Sequence, residues 1–435
     1  MKVLRIKNGH KFNLSHAPKL ILNNLPAPKY AGLSFRNFDH LKFKVLIKEG
    51  EEVSLSTPLA YPKNYPQINF CAPAGGKIHE IQYGSRRVLE AIVIEINETL
   101  ELEKIDTTKI NIKNFLLEYG YWPLLETFPK MDFAPKDIFA IHINMAKREP
   151  HSPNNTIILQ NNEAFFLAGI KALKTLCSNL KIYINQEDAV LPVLKEYGEV
   201  IAVETKYPTD NIGVQSFYAA YPPNSITVGA DTQSIIDIGY HLLTGIRRTS
   251  HIYSLAGNAA KQPQHYLGRI GIAAEDLTQN NIVKTDHVRV IAGGIFRGKK
   301  IQTKDFLTAK DPGLQAMLED KERIPLVFFR PGSDRFTLSK NWLSGFVPNK
   351  QHEATTSNNG EERACIQCGY CIDICPVLLL PNLLIKACAN NDIEKMQFLQ
   401  INDCVDCGLC SFVCPSKIEL GEHIENGKRL IEKEG

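Results

Sequence analysis

The sequence predicts a multidomain α/β and β protein that ends in a small helical domain rich in cysteine. Three observations support this. Short β-like runs broken by turns follow one another from Phe43 to Ile96. Strand-like and helical apolar runs mix between residues 106 and 248. Eight of the eleven cysteines lie between Cys365 and Cys414.

Composition narrows the class of protein. The chain has 435 residues, 44% hydrophobic and 22% charged, with a net charge of +3. This balance excludes a disordered tail protein and gives no reason to expect a nucleic-acid partner. The longest apolar runs are about half of the roughly 20 residues that a bilayer-spanning helix needs. We therefore expect no membrane span, no secretory signal and a cytoplasmic location.

The first domain is predicted over residues 1–105. Its β-like runs cover residues 45–50, 72–78 and 88–96. Short strands separated by turns are typical of a small antiparallel barrel or sandwich, so we expect a barrel-sandwich-like domain.

The second and third domains are predicted over residues 106–248 and 249–345. In the second, strands are expected at Ile138–Ile143, Thr156–Leu159 and Val200–Val203, and helices at Glu163–Leu176 and Thr232–Leu243. This mixture favours an α/β domain with a largely parallel sheet. The third domain is expected to contain short strands, such as Ile252–Ala256 and His287–Ile291. These strands predict a β-grasp-like domain.

A linker and a cluster-binding domain complete the chain. Residues 346–363 are polar and predict a flexible linker. Residues 364–435 carry two cysteine runs separated by a stretch with helical-hairpin spacing. Compact ferredoxins need less connecting chain, so we interpret this region as an α-helical ferredoxin domain with two [4Fe–4S] motifs.

The two cysteine runs share one spacing, C-x2-C-x2-C-x3-C-P, beginning at Cys365 and at Cys404. This is the bacterial ferredoxin pattern, in which the fourth cysteine ligates the other cluster. We therefore predict crossed ligation. One cluster takes Cys365, Cys368, Cys371 and Cys414, and the other takes Cys404, Cys407, Cys410 and Cys375. Gly369 and Gly408 lie inside the loops, where we expect positive φ.

Zinc is the alternative metal. Structural zinc sites also use four thiolates, but usually as two separated C-x2-C pairs. Two complete runs that each end in Cys-Pro favour iron–sulfur clusters, and two neighbouring clusters suit a one-electron relay. Cys71, Cys177 and Cys388 are interpreted as small core residues.

The residues then point to a family. The segments Ala364–Pro376 and Asp403–Ile418 resemble the tail of RnfC, a component of the Rnf electron transport complex. The body, with Ile6–Gly9, Ala72–Ile78, Leu255–Gly257 and Glu275–Leu277, resembles NqrA, a component of the Na⁺-translocating NADH:quinone reductase, Nqr. Members of the NqrA family usually lack most of these cysteines, whereas this chain has all eight.

The resemblance implies a peripheral subunit on the cytoplasmic face of the inner membrane, within an ion-translocating NADH:quinone oxidoreductase. It implies membrane-embedded subunits and flavin subunits as partners, Na⁺ as the ion, and a quinone as acceptor. The α/β domain would then resemble the flavin- and NADH-binding subunit of complex I.

The expected nucleotide motifs are altered here. The segment Tyr119–Pro129 has one glycine and bulky neighbours where a Gly-rich phosphate loop would lie. Lys147 stands where the first glutamate of a Glu-x-Glu-Pro segment would be, followed by Arg148, Glu149 and Pro150. We interpret the FMN and NADH site as degenerate.

Weaker features are interpreted conservatively. The glycine-rich stretch Ile291–Gly298 is expected to be a turn rather than a nucleotide loop. The pairs Arg86-Arg87, Arg247-Arg248 and Lys299-Lys300 are expected to be solvated surface. No catalytic triad or paired carboxylates stand out, so catalytic residues are not assigned.

Three functions remain open from sequence. The first is an Nqr-type electron-transfer subunit that relays electrons through two clusters. The second is an RnfC-type subunit that oxidises NADH through its own flavin and exchanges electrons with ferredoxin. The third is a structural scaffold whose clusters only hold the tail folded.

Overall fold

The computed structural model describes residues 2–100, 104–129, 137–146, 149–187, 192–222, 225–285, 287–319, 332, 343–346, 351–357 and 361–434. The strands β1 to β19 within these ranges are Lys2–Leu4, Lys19–Asn24, Tyr30–Ser34, Phe43–Val45, Glu52–Val53, Pro58–Pro62, Phe70–Cys71, Gly76–Tyr83, Leu89–Ile96, Glu126–Phe128, Ala140–Met145, Leu180–Asn185, Glu199–Val203, Thr227–Asp231, Ser250–Ala256, Gln264–Arg269, Val288–Ala292, Lys299–Ile301 and Gly313–Leu318. The helices α1 to α11 are Ile112–Glu118, Asn155–Leu159, Glu163–Lys174, Ile212–Tyr218, Thr232–Thr244, Ala274–Thr278, Tyr370–Ile374, Pro381–Ala389, Ile393–Phe398, Leu409–Val413 and Leu420–Glu434.

The N-terminal domain is built from two small antiparallel sheets. One has the strand order β3-β9-β8-β5 and the other β4-β6-β7. Aromatic rings pack between them. The ring centroid of Phe35 lies 4.7 Å from that of Phe43 and 5.4 Å from that of Phe70. The barrel-sandwich prediction is confirmed.

The α/β domain has a six-stranded sheet in the order β1-β13-β12-β11-β14-β10. All pairs are parallel except that of the edge strand β10 with β14. Helices α3 and α5 pack against each other and bury Ile170 and Ile235. The prediction of a largely parallel sheet is confirmed.

One predicted strand in this domain is wrong. Residues 156–159 form helix α2, because the Asn154 side chain accepts a hydrogen bond from the Thr156 amide at 2.8 Å and caps the helix. Asparagine at that position starts helices. A four-residue apolar run does not by itself distinguish a strand from a short helix.

The third domain is a mixed sheet in the order β18-β17-β19-β15-β16-β2, with α6 beside it. Strand β2 comes from the N-terminal region, just as β1 joins the α/β sheet. The first 24 residues therefore pair with both later domains. The domain boundaries at residues 105, 248, 345 and 363 stay predictions.

Part of the predicted linker is held against the body. The His352 amide donates to the Asn13 carbonyl at 2.9 Å, and the Ser15 amide donates to the His352 carbonyl at 2.8 Å. The Asn258 side chain also donates to Glu353 at 2.6 Å. Residues 351–357 therefore pair with the body instead of lying free of it.

The C-terminal domain consists of α7 to α11, and the expected helical hairpin is present as α8 and α9. Pro381 occupies the first turn of α8, and the Asp392 side chain accepts from the Lys395 amide at 3.0 Å to begin α9. The domain's core merges with Ile6, Tyr207 and Val214 of the body. The cysteine runs thus lie at a junction between the tail and the other domains. Within the described residues, no helix is both long and apolar enough to cross a bilayer.

Candidate iron–sulfur centre

The two cysteine runs have the same backbone path. Gly369 and Gly408 have φ of +82° and +74°, as predicted, and each immediately precedes a short helix, α7 or α10. Other matching positions also share positive φ, namely Gln367 with Asp406 and Leu378 with Lys417. Both loops therefore turn their cysteine side chains in the same manner.

Cys365, Cys368, Cys371 and Cys414 line one pocket. Asn382, Ile385, Ile418 and Leu420 complete the wall of this pocket. Burial raises the pKa of Cys371 to about 11, and the nearby thiols of Cys368 and Cys414 add to that rise. Cys365 and Cys368 are exposed. We call this set the outer group.

Cys375, Cys404, Cys407 and Cys410 lie near enough to influence one another electrostatically, in the core that joins the tail to the body. Burial raises the pKa of Cys404 to about 11 and raises the pKa of Cys407 and Cys410 further. In each case the Cys375 thiol contributes to the rise. Cys375, Cys407 and Cys410 are buried. We call this set the inner group.

The two sets have the membership that crossed ligation requires, and the ligation itself stays a prediction. The fourth cysteine of each run lies with the first three of the other run. The eleven cysteines, all of which the structure describes, form no disulfides. Thiols crowded together with raised pKa values are costly to ionise alone, and metal binding provides the compensating positive charge. The donor set therefore fits two iron–sulfur clusters.

A backbone amide is directed at the inner group. The Leu379 N–H donates to Cys375 Sγ at 3.3 Å, and hydrogen bonds to ligand sulfur are one of the factors that set cluster potentials.

Within the described part of the chain, no three histidine, cysteine or acidic side chains converge closely enough to hold a single ion. The four ligands of a cubane each bind a different iron atom.

The segment predicted to replace the phosphate loop lies in the core. Tyr121 and Trp122 are buried, and the Tyr121 hydroxyl lies 3.0 Å from His241 Nδ1. Lys147 and Arg148 lie outside the described residues. Glu149 is 2% exposed, and Arg297 Nε donates to its Oε1 at 2.7 Å. The one glutamate that the altered motif retains is therefore occupied by an arginine of this chain.

The glycine-rich stretch after β17 is a hairpin turn, as expected, because β17 and β18 pair antiparallel on either side of it.

The interpretation of Arg247 and Arg248 as solvated surface is wrong. Both are 8% exposed. Arg248 pairs with Asp237 at 3.0 Å, and Arg247 donates to the Tyr119 carbonyl at 2.7 Å. They line a cleft of about 850 Å³ between the three body domains.

Sequence reasoning missed the side chains of the body and of α11 that pack around the inner group. The Tyr207 hydroxyl and Lys428 Nζ contact the backbone carbonyls of Cys407 and Cys404. The Arg297 guanidinium lies over the Tyr207 ring, 5.8 Å from its centroid. Tyr207 and Lys428 carry no motif, and Arg297 lies in a stretch that stands out only for its glycines. Nothing in the linear sequence marks them.

Comparison with known protein families identifies the class of protein. Residues 364–419 match the 4Fe-4S dicluster domain family. The chain is an iron–sulfur protein in which this tail follows a body of barrel-sandwich and α/β type. Three further families match the body, namely the NqrA N-terminal barrel-sandwich hybrid domain over residues 4–97, the NqrA second alpha/beta domain over 107–247 and the NQRA C-terminal domain over 252–303.

Whole-chain relatives agree with these families. The NqrA subunit of the Na(+)-translocating NADH-quinone reductase from Vibrio anguillarum is 26% identical over 449 residues, and that from Tolumonas auensis is 27% identical over 456 residues. Each alignment covers 100% of both chains. The chain belongs to the NqrA family of Na⁺-translocating NADH-quinone reductase subunits.

A solved NAD⁺-reducing [NiFe]-hydrogenase in the H2-reduced state is also similar, at 13% identity and a TM-score of 0.37. The similarity covers 72% of this chain and 56% of that one.

Proposed function

We propose that this chain is a peripheral electron-transfer subunit of an Nqr-type, ion-translocating NADH:quinone oxidoreductase and that it relays electrons through two [4Fe–4S] clusters. The outer group would hold one cluster and the inner group the other. Such clusters supply one-electron transfer when bound. The protein holds the clusters close together and controls their exposure to solvent.

The observation that carries this proposal is the division of eight thiols into two sets of four. Each set takes three cysteines from one run and the last cysteine from the other. A protein with one structural metal site does not need two such sets, each drawn from both loops. The division supports two clusters joined by common loops.

The relay would have an exposed end and an enclosed end. Cys365 and Cys368 of the outer group are exposed, and Ile366 between them is 67% exposed. The inner group packs against the body through Tyr207 and Phe296. A partner in solution or at the membrane can approach the outer group. We therefore propose that the outer group exchanges electrons with a partner subunit.

The relatives supply the proposed setting. They are named as one of the subunits of a Na(+)-translocating NADH-quinone reductase. We infer that this chain assembles with membrane-embedded and flavin subunits at the cytoplasmic face of the membrane, and that the complex moves Na⁺. Quinone as an acceptor stays a prediction from resemblance.

Direct NADH oxidation by this chain, as in an RnfC-type subunit, is the less favoured function. Tyr121 and Trp122 fill the segment where the phosphate loop was expected, and Arg297 holds Glu149.

The other alternative is a purely structural scaffold. It would leave the clusters unreduced during turnover, and freeze-quench EPR on the whole complex tests that point.

Serine substitutions test the crossed ligand sets. In anaerobically prepared full-length protein, we expect Cys414→Ser to alter the EPR signal of one cluster and Cys375→Ser that of the other. Cys414→Ser should alter the same signal as Cys368→Ser, because both belong to the outer group. Cys375→Ser should alter the same signal as Cys407→Ser.

Cys388→Ser is the matched control. Cys388 lies in the same domain, and its thiol contacts Met396 Sδ at 3.5 Å rather than another cysteine. Both EPR signals should be unchanged in this variant. If Cys414→Ser instead alters the signal that Cys407→Ser alters, ligation follows the linear runs and the crossed assignment is wrong.

A further inference from the structure

A buried ion-pair network joins the body to the inner group. Arg297 lies in the hairpin turn between β17 and β18, and its side chain is 22% exposed. Its Nε lies 2.7 Å from Glu149 Oε1, and its Nη2 lies 3.3 Å from Asp210 Oδ2. The two carboxylate side chains are 3% and 1% exposed. The guanidinium is thus fixed between two acids.

Tyr207 links this network to the cysteine loop. Its hydroxyl lies 2.9 Å from Glu149 Oε1 and 2.7 Å from the carbonyl oxygen of Cys407. The Phe296 amide donates to the other Glu149 oxygen at 3.0 Å. The carboxylate is therefore held from three sides, and one of its partners touches the backbone of a predicted ligand.

Close packing keeps the hairpin turn against the loop. A Cβ on Gly408 would lie 2.8 Å from the Phe296 carbonyl oxygen, so the two backbones nearly touch. Phe296 stacks on Tyr207 with ring centroids 4.8 Å apart and meets Phe412 edge-on at 5.5 Å. The Asn211 side chain also donates to the Val405 carbonyl at 3.2 Å. Arg297 therefore keeps a defined place beside Cys407.

We propose that Arg297, fixed by Glu149 and Asp210, is a positioning residue of the body that raises the reduction potential of the cluster held by the inner group. This inference rests on the proposed two-cluster function. It assigns part of the control of the inner cluster to the body of the protein rather than to the tail alone.

The expected direction of the shift in reduction potential follows from the positive charge of Arg297. One-electron reduction adds one negative charge to the bound cluster, and the electron comes from the titrant. A nearby, partly buried cation stabilises that charge, because electrostatic interactions are stronger where water is partly excluded. Removing the cation should lower the potential, and neutralising Glu149 should raise it.

The experiment is an anaerobic potentiometric EPR titration of the full-length protein, with the inner signal assigned by the Cys375→Ser variant. We expect Arg297→Gln to make reduction of the inner cluster about tenfold less favourable, which is 59 mV for one electron. Glu149→Gln should shift the same potential in the opposite direction. Arg297→Lys should stay near the wild-type value, because it keeps the charge.

Arg289→Gln is the matched control. Arg289 is on β17 of the same sheet and makes a bidentate pair with Glu319 at 2.8 and 2.9 Å. It should leave both potentials unchanged. The outer cluster should keep its potential in all four variants.

The outcomes separate the two proposals. If only one cluster assembles in the wild-type protein, the proposed function fails. If both assemble but Arg297→Gln and Glu149→Gln shift the inner potential in the same direction, or leave it unchanged, the role of Arg297 is wrong. If Arg297→Gln does not assemble its clusters, the comparison of Glu149→Gln with wild type decides, and an unchanged or lowered potential contradicts the proposal.

Discussion

Gly369 and Gly408 occupy equivalent places in the two cysteine loops, but their surroundings differ. Both have positive φ, which disfavours residues with a Cβ. A Cβ on Gly369 would meet no atom within 4 Å, whereas one on Gly408 would lie 2.8 Å from the Phe296 carbonyl oxygen. Of these two glycines, Gly408 is the one whose backbone is pressed against the body.

Alanine at these positions separates backbone strain from docking. Gly369→Ala should cost about 1–2 kcal/mol of stability through φ alone. Gly408→Ala should cost more and should also loosen the tail, because the added methyl group collides with the turn that carries Phe296. Denaturant unfolding followed by cluster absorption measures both effects. Equal losses in the two variants would show that the contact with Phe296 has no energetic importance.

The predictability of individual residues depended on how far apart their partners lie in the chain. The grouping of the eight cysteines follows from local spacing, because fixed steps between ligands determine what one loop can reach. Glu149 and Arg297 are 148 positions apart, and only the tertiary fold brings them together. Arg247 and Arg248 looked like surface residues because paired basic residues usually are. Their burial depends on Asp237 and on the Tyr119 carbonyl.

At the scale of elements, the two long helices of the α/β domain and its strands β11 and β13 were predictable, and the short helix α2 was not. Helices α3 and α5 appear close to their predicted bounds, because each has an apolar face extending over several turns. Residues 156–159 were predicted as a strand and form α2. The pairing of β1 and β2 with the two later domains depends on contacts that no local pattern encodes.

The elements of the tail depend on the cysteines they carry. Helices α7 and α10 have only five residues each, and four of the eight predicted ligands are buried in the core of this domain. Isolated helices of this length are unstable in water. Removing iron with a chelator under anaerobic conditions should therefore unfold α7 to α11 and leave the three body domains folded.

Limited proteolysis measures this effect. The iron-free protein should be cut first within residues 361–434, while the iron-loaded protein resists cleavage there. Refilling with iron and sulfide should restore the resistance. Cleavage that begins in the body at the same rate, or a tail that stays resistant without iron, would contradict the dependence of the tail on its metal.

At the scale of the whole molecule, the body is more than a support for the tail. The inner group packs against residues from the N-terminal segment and the α/β domain, including Ile6 and Tyr207, and the hairpin of the third domain reaches it through Phe296. The outer group is open to solvent. In the proposed relay, electrons that enter at the outer group would therefore reach an inner cluster surrounded by residues of three domains.

The measurement that tests the central claim most directly is an anaerobic titration of the isolated full-length protein, with metal analysis on the same sample. We expect about eight iron atoms per chain and no zinc. The iron–sulfur absorption should remain when NADH is added and bleach when dithionite follows. A content of four iron atoms, or bound zinc, would contradict the two-cluster relay. Bleaching by NADH alone would show that this chain has a working nucleotide and flavin site, and that it does not depend on a partner for its electrons.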